Sequence, residues 1–206
     1  ELAEIMAVEF QMVSPQHNGV MISLVQDALV SMFLLTRSES HAVHPELFAD
    51  CVCAARYELQ GLRGRTGRDL VSLCLPRGLA VPGLVERGRV IAPLDKKAVR
   101  RVVHAVWLDD GPLRCMQLVS DWQRVLCRWQ QGVAFSVGLE DCLVDLRGEQ
   151  APDHFQAAAR LVEEHIDPDN AFKTIVDSGA KGSIVNIVQI STTVGQQVPT
   201  PTKKKL

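Results

Sequence analysis

Near the start of the chain, Leu2, Ile5, Met6 and Phe10 recur at helical intervals until the Ser14-Pro15 pair interrupts them. The spacing predicts a short helix and then a turn. Asn18-Gly19 marks a hairpin turn or loop tip, and Ile22, Val25, Leu29, Met32 and Phe33 predict a second helix over residues 20–35, ending near Thr36. From Asp69 the apolar runs shorten. Leu70-Val71-Ser72-Leu73-Cys74-Leu75 is bounded by Pro76 and Gly78, and residues 85–91 and 99–107 continue the pattern. These read as strands of a compact β unit closed by the turn Asp109-Asp110-Gly111-Pro112.

Helical spacing returns with Met116, Val119, Trp122, Val125, Leu126 and Trp129, one stripe that Gly132 is expected to end. Trp122 and Trp129, seven residues apart on that stripe, read as core rather than as a base-stacking platform. An acidic, Ala-rich helix is expected over residues 153–164, then a helix over 170–177. The turn Ser178-Gly179-Ala180-Lys181-Gly182-Ser183 leads into another helix reaching about residue 194. Residues 198–206 end in Lys203-Lys204-Lys205-Leu206 and are expected to form a disordered basic tail. The fold class is therefore α+β, a mixed helix and short-strand domain followed by a small helical one.

Composition narrows the function classes. With 206 residues, 47% hydrophobic and 22% charged, the chain can build a real core, as one globular domain or two small ones. No run approaches the roughly 18 uninterrupted apolar residues of a membrane helix. Glu1 and Glu4 stand where a signal or transit peptide carries basic residues, so the chain reads as an excised or processed piece. Six cysteines without a CxxC pair suit an intracellular, reduced protein. A net charge of −2 argues against a stand-alone nucleic-acid module, which needs surplus cations against phosphates. Charge is nonetheless blocked: −6 over residues 1–55, +7 over 56–101 and −7 over 139–170. Such blocks fit solvated or assembly-facing surfaces.

His41, His44, Cys51 and Cys53 offer four metal-ligand types, but their C-x-C spacing is shorter than structural zinc sites use, and they read as helix-face thiols and loop histidines. No G-x-S-x-G, H-E-x-x-H or D-x-D-x-D constellation occurs, so the chain shows no catalytic residues and no metal site of its own. In the turn 178–183, Gly179 and Gly182 flank Lys181 just before a helix N-terminus, where backbone amides and a cation can meet a phosphate. Asn186, Gln189, Gln196 and Gln197 continue with a stripe of neutral hydrogen-bonding side chains, suited to a wet channel wall or a helix–helix contact.

Three blocks of residues carry a resemblance. ELAEIMAVEFQMVSPQHNGVMISLVQDAL (1–29) holds a Val-Ser-Pro-Gln motif at Val13 to Gln16 and a Val-Gln-Asp-x-Leu motif at Val25 to Leu29, with Ala28 in place of Thr. GVAFSVGLED (132–141) aligns Phe135, Ser136, Gly138 and Asp141 with a Gly-Phe-Ser-x-Gly-Ile-x-Asp element. NAFKTIVDSGAKGSIVNIVQISTTVGQQ (170–197) matches a Gly-Ser-Lys-Gly turn and an Asn-x-x-Gln-Met-x-x-x-Val-Gly-Gln-Gln helix, with Ala180 and Ile190 as substitutions. In this order the blocks resemble the largest subunit of multisubunit DNA-directed RNA polymerases of the eukaryotic, archaeal and large-DNA-virus type.

The resemblance implies a pore-like domain over residues 1–150 and a shortened funnel-like domain over 151–197. Together they would line the secondary channel by which nucleoside triphosphates reach the active site. It implies that Lys181 contacts the incoming triphosphate and that Asn186, Gln189, Gln196 and Gln197 line or brace the channel. The family's magnesium-binding Asp loop is expected just before Glu1, and its bridge helix and trigger loop after Gln197. Mg2+ is then bound outside this chain, which alone would be inactive. Implied partners are the second-largest subunit, the remaining largest-subunit segments, and template DNA and RNA through the assembled enzyme. The implied location is a nucleus, or a viral transcription compartment or virion. The alternative is an interaction module that keeps the pore fold and binds polymerase or transcription factors without catalysis. The three lysines of the tail are read either as solvated charge or as a nuclear signal.

Overall fold

The computed structural model describes residues 1–57, 64–145 and 155–192. The tail 198–206, Gln196 and Gln197 lie outside these residues. The chain forms two compact units, one of Glu1–Phe135 with Asp177–Lys181 and one of Ser136–Val176 with Gly182–Leu206.

In the first unit, helix α1 (Leu2–Met6) is followed by a 3-10 turn at Val8–Gln11. Val13 and Val20 form an antiparallel bridge, so the Asn18-Gly19 loop tip forms as expected. Helix α2 (Asp27–Arg37) starts later than its apolar spacing suggests, because Gln26 takes φ 48 and breaks the run. It buries Ala28, Leu29, Met32 and Leu35. Helix α3 (Pro45–Ala54) opens on a proline, whose fixed φ suits a first helical turn, and buries Phe48, Cys51 and Val52.

The middle of the chain corrects the expected β unit. Residues 67–72 are helix α4 (Gly67–Ser72), set by Thr66: its hydroxyl accepts from Asp69 N while Asp69 Oδ2 accepts from Thr66 N. Leu70 and Val71 of α4, with Cys74 and Leu75 just after it, are buried at spacings of one, three and four rather than at the alternation of a strand. Strand pairing is confined to β1 (Val85–Glu86) and β2 (Arg89–Val90), an antiparallel hairpin with Val85 opposite Val90. Arg87 (φ 48) and Gly88 (φ 75) turn it, the two positive φ angles a two-residue hairpin loop demands.

Residues 99–107 belong to helix α5 (Lys96–Val133). Ala98, Val99, Val102, Val103 and Val106 form its buried stripe, so packing overrides the strand preference of valine. Asp109-Asp110-Gly111-Pro112 does not close a domain. Gly111 adopts φ 85, ψ 175 inside α5 and breaks it into two helical segments, since Pro112 offers no N–H to continue the ladder. The second segment buries Cys115, Leu118, Trp122, Val125, Leu126 and Trp129, and the Trp122 indole N–H donates to Val71 O at 3.0 Å. Both tryptophans are core, as expected. Helix α5 ends one residue beyond Gly132, at Val133, on the left-handed Ala134 (φ 55). Gly132 instead permits close approach, since a Cβ there would sit 2.6 Å from Leu47 Cδ1.

The second unit has its own core, Ala158, Val162, Ile166, Ile187 and Val188. It holds a 3-10 turn at Glu140–Cys142 and helices α6 (Phe155–His165) and α8 (Ile184–Ser191). Helix α7 (Ala171–Asp177) belongs to it through Val176. The fold is α+β, dominated by helices, with one two-stranded sheet among the described residues. No helix among them is long and apolar enough to cross a membrane.

Candidate functional site

Helix α7 ends at Asp177, and the turn that follows is anchored before it reaches Lys181. Ser178 is fully buried, and its carbonyl accepts from Lys96 N at 2.9 Å. Gly179 (φ 72) lies against Lys96, where an added Cβ would come 2.8 Å from that residue's Cβ. A side chain at Gly179 would therefore meet both backbone strain and a clash. Ala180 packs on the main core. Asp95 caps α5 beside this turn, its Oδ1 accepting from Ala98 N at 2.7 Å. Three held residues thus precede Lys181, which is exposed, and Gly182 follows with φ 73.

Ser183 and Asn186 then start α8. The Ser183 amide donates to Asn186 Oδ1 at 2.9 Å, and the Ser183 hydroxyl lies 3.3 Å from the same oxygen. Asn186 therefore has a structural task, satisfying a helix-start donor that would otherwise be orphaned. Helix α8 buries Ile187 and Val188 on one side and leaves Asn186 exposed and Gln189 half-buried on the other. Asn186 and Gln189, three residues apart, share that flank.

Asp141, in the 132–141 element, is a positioning residue that the candidate set does not include. Its Oδ2 accepts from Gly138 N at 2.8 Å and its Oδ1 from Ala171 N at 2.6 Å, while its carbonyl accepts from Asn170 Nδ2 at 2.9 Å. A carboxylate thus binds both its own loop and the first residue of α7, where the helix dipole favours negative charge. The three-residue spacing of Gly138 and Asp141 was the available signal.

The His41, His44, Cys51 and Cys53 set is not assembled around a common point. Burial, helped by Arg37, holds the His41 imidazole below its usual range, and its ring meets Trp129 edge-on at 6.1 Å. Burial pushes the Cys51 thiol up to about 11, with smaller opposing effects of Arg128 and Asp50. Cys53 is exposed. Among the described residues no three His, Cys, Asp or Glu side chains come together to hold a metal ion. Imidazoles and thiols are also the wrong ligands for magnesium, which takes oxygen donors.

The sequence matches known proteins along most of its length. Residues 11–142 match the family model described as RNA polymerase Rpb1, domain 3, and residues 146–203 match RNA polymerase Rpb1, domain 4. The chain is 27% identical, over 85% of its length, to the Frog virus 3 (isolate Goorha) protein named "Putative DNA-directed RNA polymerase 008R". It is 23% identical, over 96% of its length, to DNA-directed RNA polymerase II subunits RPB1-A and RPB1-B of Trypanosoma brucei brucei. The chain spans only 16% of the viral relative and 15% of each trypanosome relative.

Proposed function

The chain belongs to the RNA polymerase Rpb1 family, the largest subunits of DNA-directed RNA polymerases, and from that premise we propose that it is a non-catalytic segment lining the path by which nucleoside triphosphates enter. In this reading the N-terminal two thirds act as the pore domain and the following helices as a shortened funnel domain. Lys181 meets the triphosphate as a mobile point charge, a task suited to an ammonium on a flexible stem. Asn186 and Gln189 supply neutral polar wall, joined by Gln196 and Gln197. Nucleotidyl transfer itself belongs to Mg2+ held outside this chain, so the isolated chain is inactive. The second-largest subunit, the remaining largest-subunit segments, template DNA and RNA complete the assembly, in a nucleus or a viral transcription compartment.

The observation that carries the reading is the turn itself. It spends Ser178, Gly179 and Ala180 on anchorage and leaves Lys181 in solvent. The test is Lys181→Ala in the assembled polymerase. KM for nucleoside triphosphates should rise about tenfold, the scale of one lost charge-assisted contact, with kcat changed far less. An unchanged KM would remove the channel role. Affinity-tagged chain should also recover the second-largest subunit in stoichiometric yield. Recovery of only a complete enzyme already containing its own largest subunit would favour the regulator instead.

A further inference from the structure

A second basic feature lies along α5, built from residues other than those of the Lys181 turn. His17, Asn18, Gly19 and Val20 from the loop tip, with Arg100, Arg101 and His104 from α5, line an open groove of about 310 Å³. Every one of these residues belongs to the first compact unit. The charged side chains lining it are two arginines, and no carboxylate lines it among the described residues. A concavity of one sign concentrates anions.

The groove is held open by specific contacts. His104 Nε2 lies 3.2 Å from Asn18 Oδ1, tying loop to helix across a large sequence separation. His17 Nδ1 lies 3.2 Å from Ser14 Oγ. Gly19 makes room for that imidazole, because a Cβ there would come 2.7 Å from His17 Cδ2. His104 is also stacked on Trp107, with ring centroids 6.2 Å apart and planes 17° apart, which limits its rotation. Arg101 gives one N–H to Pro82 O at 3.1 Å. A guanidinium carries five donors, so this bond orients the fork and leaves others for a ligand. Arg100 is exposed beside it.

We propose that this groove is a binding site for a short oligophosphate, with Arg100 and Arg101 supplying charge and the His17 imidazole a directional N–H donor, while His104, whose Nε2–H is given to Asn18 Oδ1, forms the wall. Planar guanidinium forks match pairs of phosphate oxygens, and both arginines line the same groove. The small volume, bounded on one side by residues 17–20, suits a compact di- or triphosphate better than an extended strand. None of its lining residues belongs to the Lys181 turn. It would stand even if that turn had no part in nucleotide entry.

The test is a titration of the 206-residue chain with inorganic tripolyphosphate at low ionic strength, followed by NMR of the imidazole resonances. His17 and His104 should shift while His41, His44 and His165 hold still. Arg100→Gln should weaken binding about tenfold, Arg100→Lys should recover only part of it, and Arg160→Gln, an exposed arginine of α6 in the second unit, should leave it unchanged. Arg101→Gln also loses the Pro82 bond. The exposed Arg100 therefore carries the test, and unchanged resonance dispersion reports that the fold is intact. Absence of His17 and His104 shifts would overturn the proposal. So would binding lost in Arg160→Gln and kept in Arg100→Gln. A single-stranded RNA oligonucleotide is the comparison ligand. Binding of RNA with none of tripolyphosphate would overturn the oligophosphate assignment.

Discussion

Cysteine chemistry in this chain is decided by burial at single residues. All six thiols are free. Burial pushes Cys74 up to about 12, with Asp121 adding to the rise and Arg114 opposing it, and pushes Cys51 and Cys115 to about 11. Since the thiolate is the nucleophile, these three are inert in the folded protein. Cys53 and Cys127 are exposed. A chromogenic disulfide reagent followed by peptide mass mapping should label Cys53 and Cys127 in the native chain, and Cys51, Cys74 and Cys115 only after denaturation. Native labelling of Cys74 would contradict the packing around it.

At the scale of elements, helix starts govern where the candidate site sits. Thr66 with Asp69 starts α4, Asp95 starts α5 and Ser183 with Asn186 starts α8, each satisfying amides that have no partner inside their helix. Asp141 does the same for α7 from a separate loop. Replacing it with alanine removes the acceptor of two backbone amides and should destabilise the second unit by about 2 kcal/mol in urea titration. Asp141→Asn, which keeps one neutral acceptor oxygen, should cost less. Equal effects of the two variants would show that charge at the α7 N-terminus contributes nothing.

The stability of the whole molecule carries one pH dependence that the structure makes legible. Burial and the neighbouring Arg37 lower the His41 pKa from its ordinary 6.5 in the folded state. Just below pH 6.5 the unfolded chain therefore binds more protons than the folded one, and stability rises with pH there. The His41 contribution is complete above pH 6.5 and is lost as pH falls through that value, until the folded imidazole itself protonates. Denaturant midpoints measured from pH 7.5 downward should fall in the wild type and fall less steeply in His41→Gln. Parallel slopes would assign the acid sensitivity elsewhere.

What the sequence by itself determined was local: which stretches turn, which are helical over long regular stripes, and which family the chain resembles. The Met116 to Trp129 stripe and the glycines of the Lys181 turn were readable because short-range sterics set them. Gly179 and Gly182 both have the positive φ that glycine favours. The valines of residues 99–107 were misread because β-branched runs suit either a strand or a buried helix face, and only the neighbours of α5 settle which. The tertiary structure alone decided that Asp141 would hold Ala171, and that His17 and Asn18 would meet Arg100 and His104 in one groove. Such meetings join residues far apart in the chain. They are set by how whole elements pack their apolar faces, which no local pattern of residues encodes.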